Sequence, residues 1–467
     1  MKNSDYSLNK ERQRLKKVLK TYFTSNYWKK LFNENRKLFR NNLKTIKKAF
    51  VAFNANIDYI AELDKNFPLK FDNIPSNAGL PNSINSITDL KKALVYSFTA
   101  GKAVELKIVN EELYHKLLAL FDFKEKRIGG QMGIVANTLN YLGVEKVIIY
   151  TQLLSEKQAK MFNKGILFPE LKNNRIVLED ARTAGDKNKP TRINIIIEYD
   201  KGFKIKLKDK NIIIPRNNRF IISAAVHKSK PLLPKELLKK GLFSGVNRLF
   251  LSGYHHIEEK NAKKTFNEWI KQIEIIKSLN NELIIHLEYV DLHQSWLNRK
   301  LFKVLKHVHS FGLNEVELMN IMSYLGESEL AESINESDFE SESLIRAGEY
   351  LMKKFNLMRI SIHTLDFIIC IARKNYPAKL KKLLHANIYG LRVVNSKGLK
   401  GENFRNELKN INNHDFNGNG LMNARIDETR DFNIIVAPNF SEESVEVRYT
   451  VGLGDTLSSA ILYAELI

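Results

Sequence analysis

Short apolar runs, each closing on polar or glycine-rich residues, recur along most of this chain. Ala49–Phe53, Val147–Tyr150, Arg248–Ser252, Leu283–Leu287, Ser310–Leu313, Arg359–His363 and Ile434–Ala437 are of this kind. Runs of four or five residues that are apolar on both sides of the chain predict strands buried on both faces. Helical stretches lie between most of them, and strands alternating with helices argue a mostly parallel sheet covered on both faces. Residues 8–48 and 88–121 read as helical. The stretch 65–88, with Pro68, Pro75, Gly79 and Pro81, reads as a loop. Ile128-Gly129-Gly130-Gln131-Met132-Gly133 opens a helix whose apolar face carries Ile134, Leu139 and Leu142. Residues 176–226 differ. There β-rich runs (Ile193–Tyr199, Phe203–Leu207, Ile212–Ile214, Phe220–Ile222) alternate with turns, which predicts an antiparallel meander. No repeat of 20–50 residues is visible.

Composition adds little to this picture, but charge changes it. The 467 residues carry 43% hydrophobic and 27% charged side chains, values ordinary for a globular protein. No run of about 18 apolar residues occurs, so no membrane span is expected. The charged N-terminus has no apolar segment of a secretory signal, and cytoplasmic localisation is the expectation. Cys370 is the single cysteine, which excludes an intrachain disulfide and a cysteine-built zinc site. The net charge is +22, and residues 1–50 hold 15 Lys and Arg against 3 Asp and Glu. Such an arm can be an electrostatic handle for nucleic acid. Its aromatics (Tyr22, Phe23, Tyr27, Trp28, Phe32, Phe39) instead look like the packing stripe of a solvated helix, and nucleic acid is not the expected partner. The Ser- and Glu-rich stretch Glu327–Glu342 reads as an exposed helix or loop.

The most informative stretch is Thr450-Val451-Gly452-Leu453-Gly454-Asp455-Thr456. A strand-like segment, Val445–Val451, runs into two glycines, an aspartate and the small residues of a helix. Glycines let backbone approach a ligand closely. Free N–H groups at a helix start form an anion site, and an aspartate beside it can take a proton from a hydroxyl. Those are parts of a phosphoryl-transfer centre. Other polar clusters fall at strand ends, where α/β sheets collect ligands: Asn54, Asn56 and Asp58; Gly253-Tyr254-His255-His256; His286 and Glu288; Asn314 and Glu317; His363-Thr364. Singly each is an ordinary turn or cap residue; their convergence is the signal.

In these segments the chain resembles the ADP-dependent sugar kinases of the ribokinase-like superfamily, the archaeal ADP-dependent glucokinases and phosphofructokinases. The matching pieces are Asn54–Asp58, Gly129–Ile134, Asn218–Ile221, Leu251–Tyr254, His286–Glu288, Gly312–Leu318, Ile362–Thr364 and Val451–Thr456, in order from about residue 50 to the C-terminus. The resemblance implies an α/β fold: a ribokinase-like, mostly parallel sheet with helices on both faces, plus a smaller discontinuous α/β lid. The expected division is a basic helical extension at 1–48, a large nucleotide-binding domain at 49–58, 121–175 and 227–467, and a lid at 59–120 and 176–226. The implied activity is transfer of the ADP β-phosphate to a sugar hydroxyl, with Mg²⁺ or another divalent cation, in a monomer or small homo-oligomer.

The resemblance also implies roles. Asp455 is the catalytic base, and Gly452 and Gly454 offer backbone amides to the moving phosphoryl group. Arg219 holds the terminal phosphate of the nucleotide, which a guanidinium grips through two oxygens. His363, Val436, Pro438 and Val451 are expected beside the nucleotide. Glu317, Glu288, Asn314 and Asp455 are the metal-linked set, with contact through water in keeping with Mg²⁺; helix capping and salt bridging are the alternative for both glutamates. Asn54, Asn56, Asp58, Gly129, Gly130 and Gln131 are the sugar-hydroxyl contacts. A lid closing over the sugar would exclude water.

The acceptor is less determined. Glucokinases of this group carry a glutamate where Asn85 or Ser86 stands here, and phosphofructokinases carry a lid-strand arginine where Ile195 stands. Arg182, Lys187, Lys189 and Arg192 lie at or before that strand, and Lys189 and Arg192 are the candidates for a substrate phosphate. Tyr150–Ser155 and Gly165–Pro169 look more like phosphofructokinases, and Gly312–Leu318 more like glucokinases. Fructose 6-phosphate is the favoured acceptor, with glucose or dual use as the alternative. A nucleic-acid-binding protein and an ATP-dependent relative of ribokinase are the competing readings.

Overall fold

The computed structural model describes residues 25–41, 48–224, 230–291, 294–401, 408, 415–440 and 451–467. Residues 445–450 of the expected strand Val445–Val451, Tyr22 and Phe23, and the start of the N-terminal helical stretch lie outside these residues.

The apolar runs assemble one eleven-stranded sheet. Its order is Arg425–Glu428, Phe432–Pro438, Phe367–Arg373, Arg359–His363, Ser310–Asn314, Ile284–Glu288, Arg248–Leu251, Lys48–Ala52, Lys146–Tyr150, Ile166–Lys172 and Arg175–Asp180. From Arg359–His363 to Ile166–Lys172 every pair is parallel, and antiparallel pairs close both margins. Parallel strands end on the same side, so the polar residues after the runs at 52, 251, 288, 314 and 363 gather along one edge. The helices Leu380–Lys400 and Leu453–Ala464 pack tightly, because a Cβ on Gly390 would collide with Ile461 and press on Leu457.

The helix Ser25–Asn41 is no free arm. Trp28, Leu31, Phe32 and Phe39 are buried in the large core. Phe39 stacks on Tyr389 with ring centroids 4.3 Å apart, and Asn35 donates to the His385 carbonyl at 2.6 Å. The aromatic stripe predicts this packing.

A second, five-stranded sheet carries its own core. Its order is Val104–Ile108, Asn218–Ala224, Ile193–Tyr199, Asn56–Glu62 and Glu125–Gly129. Its five strands come from two stretches of chain, 56–129 and 193–224. Strand alternation sends Ile195, Ile197 and Tyr199 into the core with Leu90, Leu94 and Phe98 of the helix Ile87–Ala100. Asn194, Ile196 and Glu198 therefore face the other way, toward the large sheet.

Several boundaries differ from the sequence expectation. Asn56–Glu62 and Glu125–Gly129 pair within the lid sheet, whereas Arg175–Asp180 pairs with the large one. The stretch 88–121 is broken by the strand Val104–Ile108 between the helices Ile87–Ala100 and Glu111–Leu120. The meander is partial, since Ile193–Tyr199 pairs antiparallel with Asn218–Ala224 but parallel with Asn56–Glu62. Among the described residues no helix is long and apolar enough to cross a membrane.

Candidate active site

Register arranges the cleft face of the lid in rows. Lys107 pairs with Ser223, and Asp58 pairs with Asn194 and Arg127. The next row is Glu105, Ile221, Ile196 and Ile60, and beyond it Arg219 pairs with Glu198. The middle row is apolar over three strands. Ile60, Ile196 and Ile221 pack on Val451, the residue before the glycine turn. That contact joins the lid to the large domain and separates two polar compartments.

The first compartment is built on Asp58 and the Gly129-Gly130 pair. A Cβ on Gly129 would collide with the Asp58 carboxylate. Gly130 has φ +71°, and a Cβ there would sit 2.6 Å from Asn56 Oδ1 and 2.9 Å from the Asn54 carbonyl. Only glycine lets these segments lie so close. Asn56 Nδ2 donates to Asp58 Oδ1 at 2.6 Å. The Asn54 carbonyl accepts from the Met132 and Gly133 amides at the start of the helix Gln131–Tyr141, and Gln131 donates to the Tyr289 carbonyl at 3.1 Å. Burial pushes the Asp58 carboxyl up to about 6, with Glu105 adding repulsion and Arg127, Asn56 and Arg219 opposing. Buried polar groups of this kind suit sugar hydroxyls.

The second compartment centres on the glycine turn. Gly452 adopts φ +71° before the helix Leu453–Ala464, and a Cβ there would press into Ile134. A Cβ on Gly454 would lie 2.8 Å from His363 Nε2. Asp455 occupies the first turn of that helix. Burial raises its pKa to about 7, the Glu288 charge and then Asp58 push the same way, and Lys397 and Arg219 pull against them. Burial lowers the Arg219 pKa while Glu198 and Asp455 hold it up, and its Nε is buried without a partner among the described residues. Asp58, Arg219 and Glu288 thus all act on the carboxylate at the turn.

Glu288 and Glu317 lie behind it. His286 Nε2 is 2.7 Å from Glu288 Oε1. Burial tends to raise the Glu288 pKa, but His286, Ser458 and His363 hold it below the usual range. Asn314 and Glu317 form a capping box, each side chain bonding the other's backbone N–H at 2.8 Å. The Glu317 pKa is raised well above normal by burial and by repulsion from Asp291, Glu288 and Glu315. Among the described residues no three acidic, histidine or cysteine side chains form a direct metal cage. A crowd of mutually repelling carboxylates nevertheless suits a hydrated divalent cation, which takes few protein ligands and keeps its waters.

Some expected residues sit elsewhere. Lys189, Lys187 and Arg182 lie on the turn region after Asp180, and Arg182 pairs with its neighbour Asp180 at 3.1 Å. Arg192 is buried. Ile195 points into the lid core, so a cation at that position would not face the cleft. Ser86 caps the helix Ile87–Ala100, and Asn85 donates its backbone N–H to Asp89. Val436 and Pro438 are buried in the strand Phe432–Pro438, with the Val436 side chain inside the core. His363 abuts Gly454 and feels the Glu288 charge.

Sequence reading missed Glu105, Lys107, Asn194, Arg127, Glu198 and Lys397. The alternation in Val104-Glu105-Leu106-Lys107-Ile108 was a signal for the first two. Lys397 had none. It is a 4%-exposed lysine on the helix Leu380–Lys400. Gly390 meets Leu457 and Ile461, and Lys397, two turns on, acts on Asp455, so the helices run antiparallel.

With this geometry in place, comparison with known proteins is specific. The ADP-specific Phosphofructokinase/Glucokinase conserved region matches residues 47–464. The ADP-specific phosphofructokinase of Pyrococcus horikoshii is 29% identical over 436 residues, 88% of this chain and 95% of that protein. That of Methanosarcina acetivorans is 30% identical over 456 residues, 89% of this chain and 92% of the other. A solved ADP-dependent kinase in complex with fructose-6-phosphate and ADPβS aligns with TM-score 0.82 and 26% identity, covering 94% of this chain and 98% of that one.

Proposed function

This chain belongs to the ADP-specific phosphofructokinase/glucokinase family, and from that premise we propose that it transfers the β-phosphate of ADP to fructose 6-phosphate, giving AMP and fructose 1,6-bisphosphate. The observation that carries the reading is Asp455, seated at a glycine turn that faces Asp58, Arg219 and Glu288 at once.

Asp455 takes the proton of the acceptor hydroxyl while that oxygen bonds to the β-phosphorus and the bond to the bridging oxygen of ADP breaks. A carboxyl at about 7 is poised for this near neutral pH. The amides of the turn and the unpartnered Nε of Arg219 meet charge on the moving phosphoryl group. Asp58, Asn56 and the glycine pair orient the sugar. The apolar contact of Ile60, Ile196 and Ile221 with Val451 keeps water from the reacting atoms. A divalent cation held through water by Glu317 and Glu288 would neutralise phosphate charge.

Glucose is the second acceptor to weigh, since the two carboxylates Asp58 and Glu105 can take neutral hydroxyls without any phosphate. A coupled assay with ADP, Mg²⁺ and each sugar, with ATP as control donor, decides among these. Turnover on fructose 6-phosphate with ADP above ATP is expected. Absence of transfer to any hexose or hexose phosphate would end the kinase reading.

A further inference from the structure

Behind Glu288 runs a row of buried polar side chains that the mechanism above does not use. His286 pairs with Ser310, and Ser310 pairs with Arg359, on neighbouring parallel strands of the large sheet. Register partners lie about 4.8 Å apart and share one face, so their side chains meet in a row. Glu288, two residues beyond His286, shares that face. His286, Ser310 and Arg359 have no exposed surface, and Glu288 is 3% exposed. The polar atoms of this row must therefore satisfy one another.

The contacts fix a direction. Arg359 Nη1 is 3.2 Å from Ser310 Oγ, Ser310 Oγ is 2.8 Å from His286 Nδ1, and His286 Nε2 is 2.7 Å from Glu288 Oε1. A guanidinium donates and never accepts. Glu465 anchors the row, since Arg359 Nε donates to its Oε1 at 2.6 Å. Ser310 thus accepts from Arg359. Its own hydroxyl proton then has one acceptor among the described residues, His286 Nδ1. A ring that accepts at Nδ1 carries its proton on Nε2. From there it donates to Glu288.

The reverse order strands a group. A proton on Nδ1 would point at Ser310, which would accept twice and leave its hydroxyl proton buried without a partner. A doubly protonated ring strands the same proton. An unmade hydrogen bond in a site closed to water carries the full cost of desolvation. One order of protons leaves none unpaired along the row.

Glu288 stands at the receiving end. Its carboxylate lies over Gly312, where a Cβ would sit 2.7 Å from Oε2 and 2.9 Å from Oε1. Glycine at 312 makes the room, and the His286 N–H holds one oxygen within it. From that position the Glu288 charge acts on Asp455 in the first turn of the helix Leu453–Ala464.

We propose that Ser310 is a positioning residue, which takes a hydrogen bond from Arg359 and passes one to His286, so that the imidazole is locked with its proton on Nε2 and orients the Glu288 carboxylate beside the catalytic turn. The tautomer stands on this geometry alone. Its effect on turnover rests on the sugar-kinase reading.

The test is proton–nitrogen correlation NMR on the full chain with isotope-labelled histidine, the His286 signals being identified by their loss in His286→Gln. The wild-type ring should show a protonated Nε2 and a bare Nδ1. Ser310→Ala removes the donor to Nδ1, so that resonance should shift and the proton should distribute over both nitrogens. Ser310→Thr keeps a hydroxyl on a side chain suited to a strand and should return the wild-type pattern. Steady-state kinetics accompany the spectra. Loss of one buried hydrogen bond predicts a roughly 3- to 10-fold lower kcat in Ser310→Ala, with little change in KM for ADP or sugar and recovery in Ser310→Thr. A wild-type proton on Nδ1, or an Nδ1 resonance indifferent to Ser310→Ala, would overturn the donor row. Unchanged turnover in Ser310→Ala would remove Ser310 from the catalytic geometry. A chain that transfers phosphate to no sugar yet shows the Nε2 proton, released in Ser310→Ala, would end the kinase reading and keep the assigned row. The wild-type spectrum decides the tautomer even where Ser310→Ala does not fold.

Discussion

The helix Leu453–Ala464 has a half-buried carboxylate, Asp455, in its first turn and a buried one, Glu465, just past its end, and the two are treated in opposite ways. Past its C-terminus, Glu465 is satisfied by its own chain. Arg359 Nε donates to Oε1 and the Tyr376 hydroxyl to Oε2, each at 2.6 Å, and Arg248 approaches to 3.7 Å. In its first turn, Asp455 has no such closure among the described residues. Glu288 repels it, Lys397 and Arg219 attract it, and nearby polar atoms of Arg219 and His363 are left without partners among the described residues. A buried charge closed by its neighbours holds the fold in one arrangement. A half-buried charge left open waits for a ligand.

The two ends are also joined. Arg359 bonds Ser310, Ser310 meets His286 at 2.8 Å, and His286 meets Glu288, whose charge acts on Asp455. The chain of contacts crosses the sheet from its closed side to its open edge.

Mutation should separate the two ends. Asp455→Asn is expected to lower turnover by about 10²- to 10⁴-fold, with ADP binding nearly unchanged; rapid-quench or steady-state assays measure it. The same variant should be the more stable protein at pH 8. The folded-state pKa of Asp455 is raised from 3.8 to about 7, so between those values the folded state holds a proton that the unfolded chain releases. Wild-type stability contributed by this group therefore falls as pH rises through that window. Thermal melts should show the Asn variant's advantage shrinking toward pH 5 and vanishing below pH 4 or so; an advantage that does not shrink would break the comparison.

Glu465→Ala should do the reverse at the other end. It strands Arg359 in the core and should cost on the order of 3–5 kcal/mol in chemical denaturation. Turnover of the remaining folded protein should change much less. A variant that keeps its stability but loses turnover would mean that the far cluster tunes chemistry and does not mainly hold structure.

The smallest effect sharpens the open end. Lys397 lowers the Asp455 pKa, so Lys397→Met should move the acid limb of the kcat/KM profile to higher pH, from a wild-type position near neutrality. Lys397→Arg should restore it. A profile that stays in place would remove Lys397 from the site.

Much of the scaffold was legible beforehand. Ile284–Glu288 and Ser310–Asn314 are dense apolar runs, and burial on both faces leaves few other structures for them. The glycine turn at 452 and the pair at 129–130 were readable because no other residue fits φ +71° at Gly130 and Gly452, or the approach to Asp58, without strain. The lid was read less well. The strand Val104–Ile108 is short and flanked by helices, and its alternation of apolar and charged residues spans only five positions, so it was absorbed into a helical reading of the whole stretch. Ile195 shows the same limit, since the face a strand residue occupies is fixed by register and a slip of one residue reverses it.

Local chemistry thus determined the strands, the glycine bends and the carboxylates at their ends, because turn geometry and apolar runs act over a few neighbouring residues. Tertiary structure alone decided which charges meet. Lys397 reaches Asp455 only because two helices pack antiparallel, and Lys107 reaches His255 only because lid and large domain close on each other. Coulomb forces depend on distance in space, and separation along the chain does not report it.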